Sequence, residues 1–337
     1  MKLPGIKKNL FANAYALFFI TNNPFHGVEI MTMNREQGIE ALTKIDETSR
    51  KLQRQGLDRE ALDCMQLGLL KRRELFGPKS KELASACRIV GEALNSIALK
   101  NVDASNFSDA VEYLKQALKL MQNDDFGRHE TYLNFAALHQ KKGQPRVVLR
   151  YLRQVLTIQS QLCFSDDIRA NVHLNVCATL SRLGKHESAL RHAKIAIKIL
   201  ENLIQESPPR NQSDNQDQHR SVDSGPRRML LDMEAIDENA SGVHSIEENL
   251  LMNIDAKIIE ILAASYYNAG VEYEHLGDIQ ASYHKYQQGS RVASSLGCHH
   301  AITKTLNASS QAVVTRIVQD GIVKNIRNAN VQRLVTS

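Results

Sequence analysis

An all-α chain of about five helical hairpins, closed by a C-terminal capping helix, is predicted by three observations. Residues 128–199 contain two near-copies of one pattern. His129-Glu-Thr-Tyr-Leu-Asn-Phe-Ala-Ala-Leu-His-Gln-Lys-Lys-Gly143 lies over Ala170-Asn-Val-His-Leu-Asn-Val-Cys-Ala-Thr-Leu-Ser-Arg-Leu-Gly184. Each copy runs on into a second segment of helical period, 146–156 and 187–200, where Leu152 falls on Ala193 and Val155 on Ala196. A small residue sits midway along each first helix, Ala136 and Cys177, and a glycine closes it. Finally, Leu, Ala, Lys, Gln and Arg dominate most segments, and all favour helix.

The hairpins follow in order. The first is expected over 34–76, with Asn34 as N-cap and Gln37 three residues on. Its first helix carries Ile39, Leu42, Ile45 and Leu52 near a 3.6 spacing, and Gly56 ends it. The second helix, 58–76, presents Leu62, Met65, Leu69 and Leu70, and Gly77-Pro78 stops it. Residues 80–121 form the second hairpin, with Ile89, Ala93, Ile97 and Ala98 on one helix. Ala110, Leu114, Ala117 and Leu118 lie on the other. Its turn, 102–107, carries Ala-Ser in place of the Leu-Gly found elsewhere. The third and fourth hairpins are the two near-copies. The fifth spans 253–296, where Asn268, Gly270 and Gly277 repeat the positions of Asn134, Ala136 and Gly143, and Ser282, Tyr286 and Gly289 follow on its second helix. An apolar stripe over 301–318 fits a terminal helix that caps the stack.

The domain reading is therefore 1–33 as an N-terminal extension and 34–205 as hairpins one to four. A polar insert follows at 206–250, the fifth hairpin with its capping helix at 251–318, and a frayed tail at 319–337. The insert is almost free of apolar residues through its first half, too few to repay the entropy of ordering. Residues 229–236 have the pattern of a short amphipathic helix. Ser221 and Ser224, flanked by arginines, could accept phosphate, although a solvated spacer is the favoured reading. In the extension, lysines precede a short apolar run, 9–20, too short to span a bilayer. It reads as a membrane or secretory leader, an ordered helix, or an upstream extension with translation starting at Met31 or Met33. The repeat pattern begins after Met33, which favours the last two.

Composition narrows the function classes. The formal net charge is +5 over 337 residues, with both signs interspersed, which gives little footing to nucleic acid. The five cysteines are scattered singly with no metal-ligand spacing, as expected of free thiols in a reducing compartment. No phosphate loop, nucleophile elbow or zinc-protease motif occurs. Cys298-His299-His300 is adjacent in sequence and poorly placed to chelate one ion. His173 occupies an apolar repeat position, while His186 and His192 read as exposed. No catalytic residue, metal or cofactor is expected.

The motif set resembles the tetratricopeptide (TPR) repeat. The long second helix, the Gly77-Pro78 turn and the 41-residue step from Gly143 to Gly184 (184 − 143) are similar to the extended repeats of kinesin light chains. The resemblance covers roughly 34–318 and implies a right-handed superhelical α-solenoid whose first helices line a concave groove.

Asn134, Asn175 and Asn268 share one mid-helix position, where Ser96 stands in the second hairpin, preceded by Asn95. Asparagine is a middling helix former, so three at one position ask for a reason. An amide both donates and accepts, and can pair with the backbone of an extended peptide. In TPR proteins this position serves that purpose, which the resemblance implies for these residues. Lys141 and Arg182, seven residues on, would add charge for an acidic ligand. The alternative is that each asparagine bonds to a neighbouring helix. Glu92 and Glu130 stand near the start of the groove helices, against a chaperone-tail clamp. The expected function is a non-enzymatic, cytoplasmic adaptor or scaffold, with cytoskeletal or ciliary association as a narrower version. It would bind a protein or peptide partner, with no stable membrane insertion and with self-association open. The alternative is a structural subunit of a larger assembly, contacting through its convex face and terminal helix.

Overall fold

The computed structural model describes residues 35–206 and 254–335, with side chains described through residue 319. Among them are eleven α-helices and no strand: α1 (Arg35–Arg54), α2 (Asp58–Phe76), α3 (Lys81–Asp103), α4 (Phe107–Leu120), α5 (Asp125–Lys141), α6 (Pro145–Gln161), α7 (Asp166–Arg182), α8 (His186–Glu206), α9 (Ala256–His275), α10 (Ile279–Ser294) and α11 (Ala301–Val335). The N-cap Asn34, the extension 1–33, and the insert with its 229–236 helix and its two serines lie outside the described residues.

The chain divides into two compact units, Met1–Ala93 and Leu94–Ser337. In the first, α1 packs on α2. The close approach is made by small residues: a Cβ on Gly38 would stand 2.6 Å from Leu75 Cδ2. Leu42, Ala61, Leu62 and Cys64 are buried there. Three residues of the expected stripes face out instead: Ile39, Leu70 and Ile89 are 43%, 50% and 54% exposed. On α1 the buried positions are Gly38, Leu42 and Ser49, so close backbone contact decides the face more than side-chain size. On α3 the buried residues of this unit are Ala86 and Val90.

In the second unit each hairpin packs internally, α5 on α6, α7 on α8 and α9 on α10, and each also meets the next. One core runs from Ala136 through Leu152, Cys177, Ala196 and Leu200 to Tyr266, Tyr286 and Leu306. A smaller cluster joins Ala98 and Val102 of α3 to Ala110 and Leu114 of α4 and to Phe135 and Leu138 of α5. The mid-helix small residues act as expected. Tyr286 is buried against Gly270, where an added Cβ would lie 2.5 Å from its Cε1. The helix α11 continues to Val335, beyond the 318 boundary that the apolar stripe marks.

Five hairpin turns use one device. The N–H of Leu57, Asn106, Gln144, Lys185 and Asp278 each donates to the carbonyl five residues back, at 2.8–3.0 Å. This closes the first helix with a Schellman motif, which needs the preceding residue in the left-handed region. Gly56, Gly143, Gly184 and Gly277 supply it at φ 74°, 65°, 68° and 83°. In the second hairpin Ser105 takes the same conformation at φ 63°, so the Ala-Ser turn keeps the geometry of the glycine turns.

Candidate functional site: the first-helix face of the second unit

The shared turn bond fixes the register of the repeats. Counting ten residues back from Asn106, Gln144, Lys185 and Asp278 gives Ser96, Asn134, Asn175 and Asn268. Equivalent positions have unlike surroundings. Asn134 on α5 is 8% exposed, and its Nδ2 has no hydrogen-bond partner among the described residues. On α7, Asn175 is exposed. The Asn268 amide on α9 donates to the Ala264 carbonyl of its own helix at 2.9 Å. Asn95, one residue ahead of the column, is 1% exposed and donates to Thr131 Oγ1 at 3.0 Å, pinning α3 to α5. Its Oδ1 is buried without a partner among the described residues.

Three residues back from the same anchors lie Asp103, Lys141, Arg182 and His275. Lys141 Nζ bridges to Asp103 at 2.6 Å, linking that position between neighbouring repeats. Arg182 is exposed. Between the two columns, seven back, stand Leu99, Ala137, Ala178 and Val271, and Leu99 is 38% exposed. The face thus has an apolar floor, amides along one side and mixed charge at the helix ends.

A second cluster was not legible from spacing alone. Glu272 is 1% exposed and its Oε2 lies 2.8 Å from His186 Nδ1, joining α9 to α8. His275 stacks on His186 with centroids 4.1 Å apart. Cys177 is buried close to Glu272. Burial first, then that carboxylate, pushes its thiol pKa up to about 12. The register holds a signal for this cluster. Glu272 stands six residues before its anchor, where the third and fourth hairpins place Leu138 and Thr179, both buried. A carboxylate at a buried repeat position needs a cationic or hydrogen-bonding partner.

The histidines read as exposed are not. His192 is half-buried with its Nδ1 2.8 Å from His173 Nδ1, and His186 is held by Glu272. Burial, and then the positive charges of His192 and Arg169, draw the His173 pKa down to about 4. Among the described residues no group of three or more His, Cys, Asp or Glu is placed to hold a metal, and no helix is long and apolar enough to cross a membrane. Cys298, His299 and His300 lie in the turn before α11.

With helical hairpins stacked in one register and closed by one repeated turn, the architecture is fixed. The fold is a TPR-like helical repeat. No protein-family model matches the chain, and no curated protein matches its sequence. Solved structures of similar architecture include BtubC (BKLC) from P. vanneervenii, 14% identical over 80% of this chain and 94% of that one, with a TM-score of 0.46. The MamA protein is 12% identical over 77% and 96%, at 0.41. A Podosopora anserina putative kinesin light chain with nearly identical TPR-like repeats is 13% identical over 76% and 97%, at 0.40.

Proposed function

We propose that this chain is a non-enzymatic adaptor that holds an extended segment of a partner protein on the first-helix face of α5, α7 and α9. The observation that carries the reading is Asn134. A donor buried without a partner costs about 1–3 kcal/mol, and a stable fold seldom keeps one at a position where alanine would serve. A rotation that turns this buried amide outward would bring Nδ2 to a peptide carbonyl, and the bond made there returns that energy on binding. Asn175 offers an exposed amide at the next repeat. Asn268 gives one N–H to the Ala264 carbonyl and keeps its Oδ1 and second N–H for a ligand, and Arg182 is the exposed cation at the helix end. Lys141 is paired with Asp103 at the exposed helix end, and the buried Asn95 amide gives an N–H to Thr131, so neither leads the contact with a ligand.

Two measurements test this. Asn134→Ala removes an unmet donor, a gain of about 1–3 kcal/mol set against lost side-chain packing, and should not destabilise the fold, whereas Asn95→Ala breaks a made bond and should cost about 1–3 kcal/mol. Affinity purification of the full chain from its native cell is then compared with an Asn134→Ala/Asn175→Ala/Asn268→Ala chain, with circular dichroism as the folding control. Partners lost only from the triple variant support the reading. An unchanged set in a folded variant moves binding off this face.

A second reading, a structural subunit joined through its terminal helix, is favoured by one observation. Ile317 and Val318 on α11 are 43% and 54% exposed. Size measurement of the purified chain separates the two, since an assembly subunit self-associates when its partner is missing.

A further inference from the structure

The second helices of the repeats carry a charge pattern that the first-helix face does not use. The ninth residue after each turn anchor is Lys115 on α4, Arg153 on α6 and Lys194 on α8. The sixth is Arg150 on α6 and Arg191 on α8, and the thirteenth is Lys119 on α4 and Lys198 on α8. On a helix these three positions fall within about 60° of one another, so they share one face. Glu112 and Thr157 interrupt the pattern. All but Lys194 are exposed, and Lys194 lies half-buried over the Tyr273 ring. The segment that forms α6 contains three arginines and no acidic residue. Arg150, Arg153, Arg191 and Lys198 make no ion pair among the described residues. Helices α4 and α6 both pack on α5, and α6 and α8 both pack on α7, so the cations recur from one repeat to the next along the stack. Cations concentrated in this way select an anionic strand laid across the helices.

The chain itself contains an acidic segment of this kind. Residues 229–248 hold Asp232, Glu234, Asp237, Glu238, Glu247 and Glu248, and no Lys or Arg. The segment is tethered to the helix that carries three of the seven cations: it leaves the end of α8 at Glu206 and returns to α9 at Ala256. Reaching Arg191 from Glu206 means going back 15 residues of helix, about 22 Å. The 23 residues from 206 to 229 can span up to roughly 75 Å, several times that need. An intramolecular ligand within reach has a local concentration on the order of millimolar, enough to favour even weak ion pairs.

We propose that the basic face of α4, α6 and α8 is occupied by the acidic stretch 229–248 of this chain's own insert. The inference stands apart from the adaptor reading, because it uses the opposite helix of each hairpin and none of the asparagines.

The test is zero-length carbodiimide cross-linking, which joins carboxylates only to lysines in contact, followed by peptide mass spectrometry. The full chain is prepared as an equal mixture of ordinary and nitrogen-15-labelled protein. Expected are links from Asp232, Glu234, Asp237 or Glu238 to Lys115, Lys119 or Lys198, each within one isotope. They should fall roughly tenfold in the Arg150→Glu/Arg153→Glu/Arg191→Glu chain, since three reversed surface charges each weaken an exposed pair. A second arm leaves the protein unaltered: a synthetic 229–248 peptide at millimolar concentration should compete the links away. The proposal is overturned by links to lysines off this face, such as Lys142 or Lys257, or by no links from the segment. Links that mix isotopes, which place the segment on a second copy, overturn it too, as does indifference to both charge reversal and competitor.

Discussion

Ser105 holds with a Cβ the left-handed conformation that four glycines hold without one. A non-glycine residue there is strained by about 1 kcal/mol, and glycine removes the strain at some cost in unfolded-chain entropy. Ser105→Gly should therefore raise the unfolding free energy by up to about 1 kcal/mol, read as a shift in denaturant midpoint with an unchanged slope. The His173 ring carries a second prediction at this scale. Its folded pKa is about 4, below the ordinary value of 6.5. The unfolded chain therefore binds the proton first as pH falls. Stability is full above about pH 6.5 and declines toward pH 4, by up to about 3 kcal/mol for this residue. Urea titrations at pH 7 and pH 5 should show the loss, and His173→Leu should flatten it. Asn95 and Asn268 mark the limit of reading single residues. The sequence places their amides on a helix, but whether an amide meets Thr131, a carbonyl of its own helix or open space depends on neighbours tens of residues away.

At the scale of elements, legibility followed pattern strength. Both helices of hairpins three, four and five stand where the duplicated motif places them, because a Gly-closed turn and a small mid-helix residue are local signals. The insert and the extension gave only composition. Faces were misjudged where the stripe was read by size. Ile89 is exposed while Ala86 and Val90 beside it are buried, since helices approach through small residues and leave large ones at the rim. The buried pair of Glu272 and His186 escaped because the partners are 86 residues apart and either alone reads as surface. These contrasts imply graded local stability. The core spanning α7, α8 and α9 is continuous, whereas α1 buries only Gly38, Leu42 and Ser49. Native hydrogen exchange should find amides of α7–α9 protected to near the global limit, and those of α1 exchanging through smaller openings.

For the whole molecule, the insert lies between two helices that need no short connection. The last helix of the fourth hairpin and the first of the fifth pack directly on one another, and α9 also contacts α7. That contact, together with the 2.8 Å contact of His186 Nδ1 with Glu272 Oε2, is made by elements on both sides of 207–253. Cutting the backbone there costs loop-closure entropy, which changes slowly with length. The molecule is thus divisible. A chain cut once inside this stretch should elute as a single complex, and the two halves expressed together should find each other through the α8–α9 seam. Split in this way, each half becomes a sensor of the other, and reassembly reports whether two tagged proteins have been brought together.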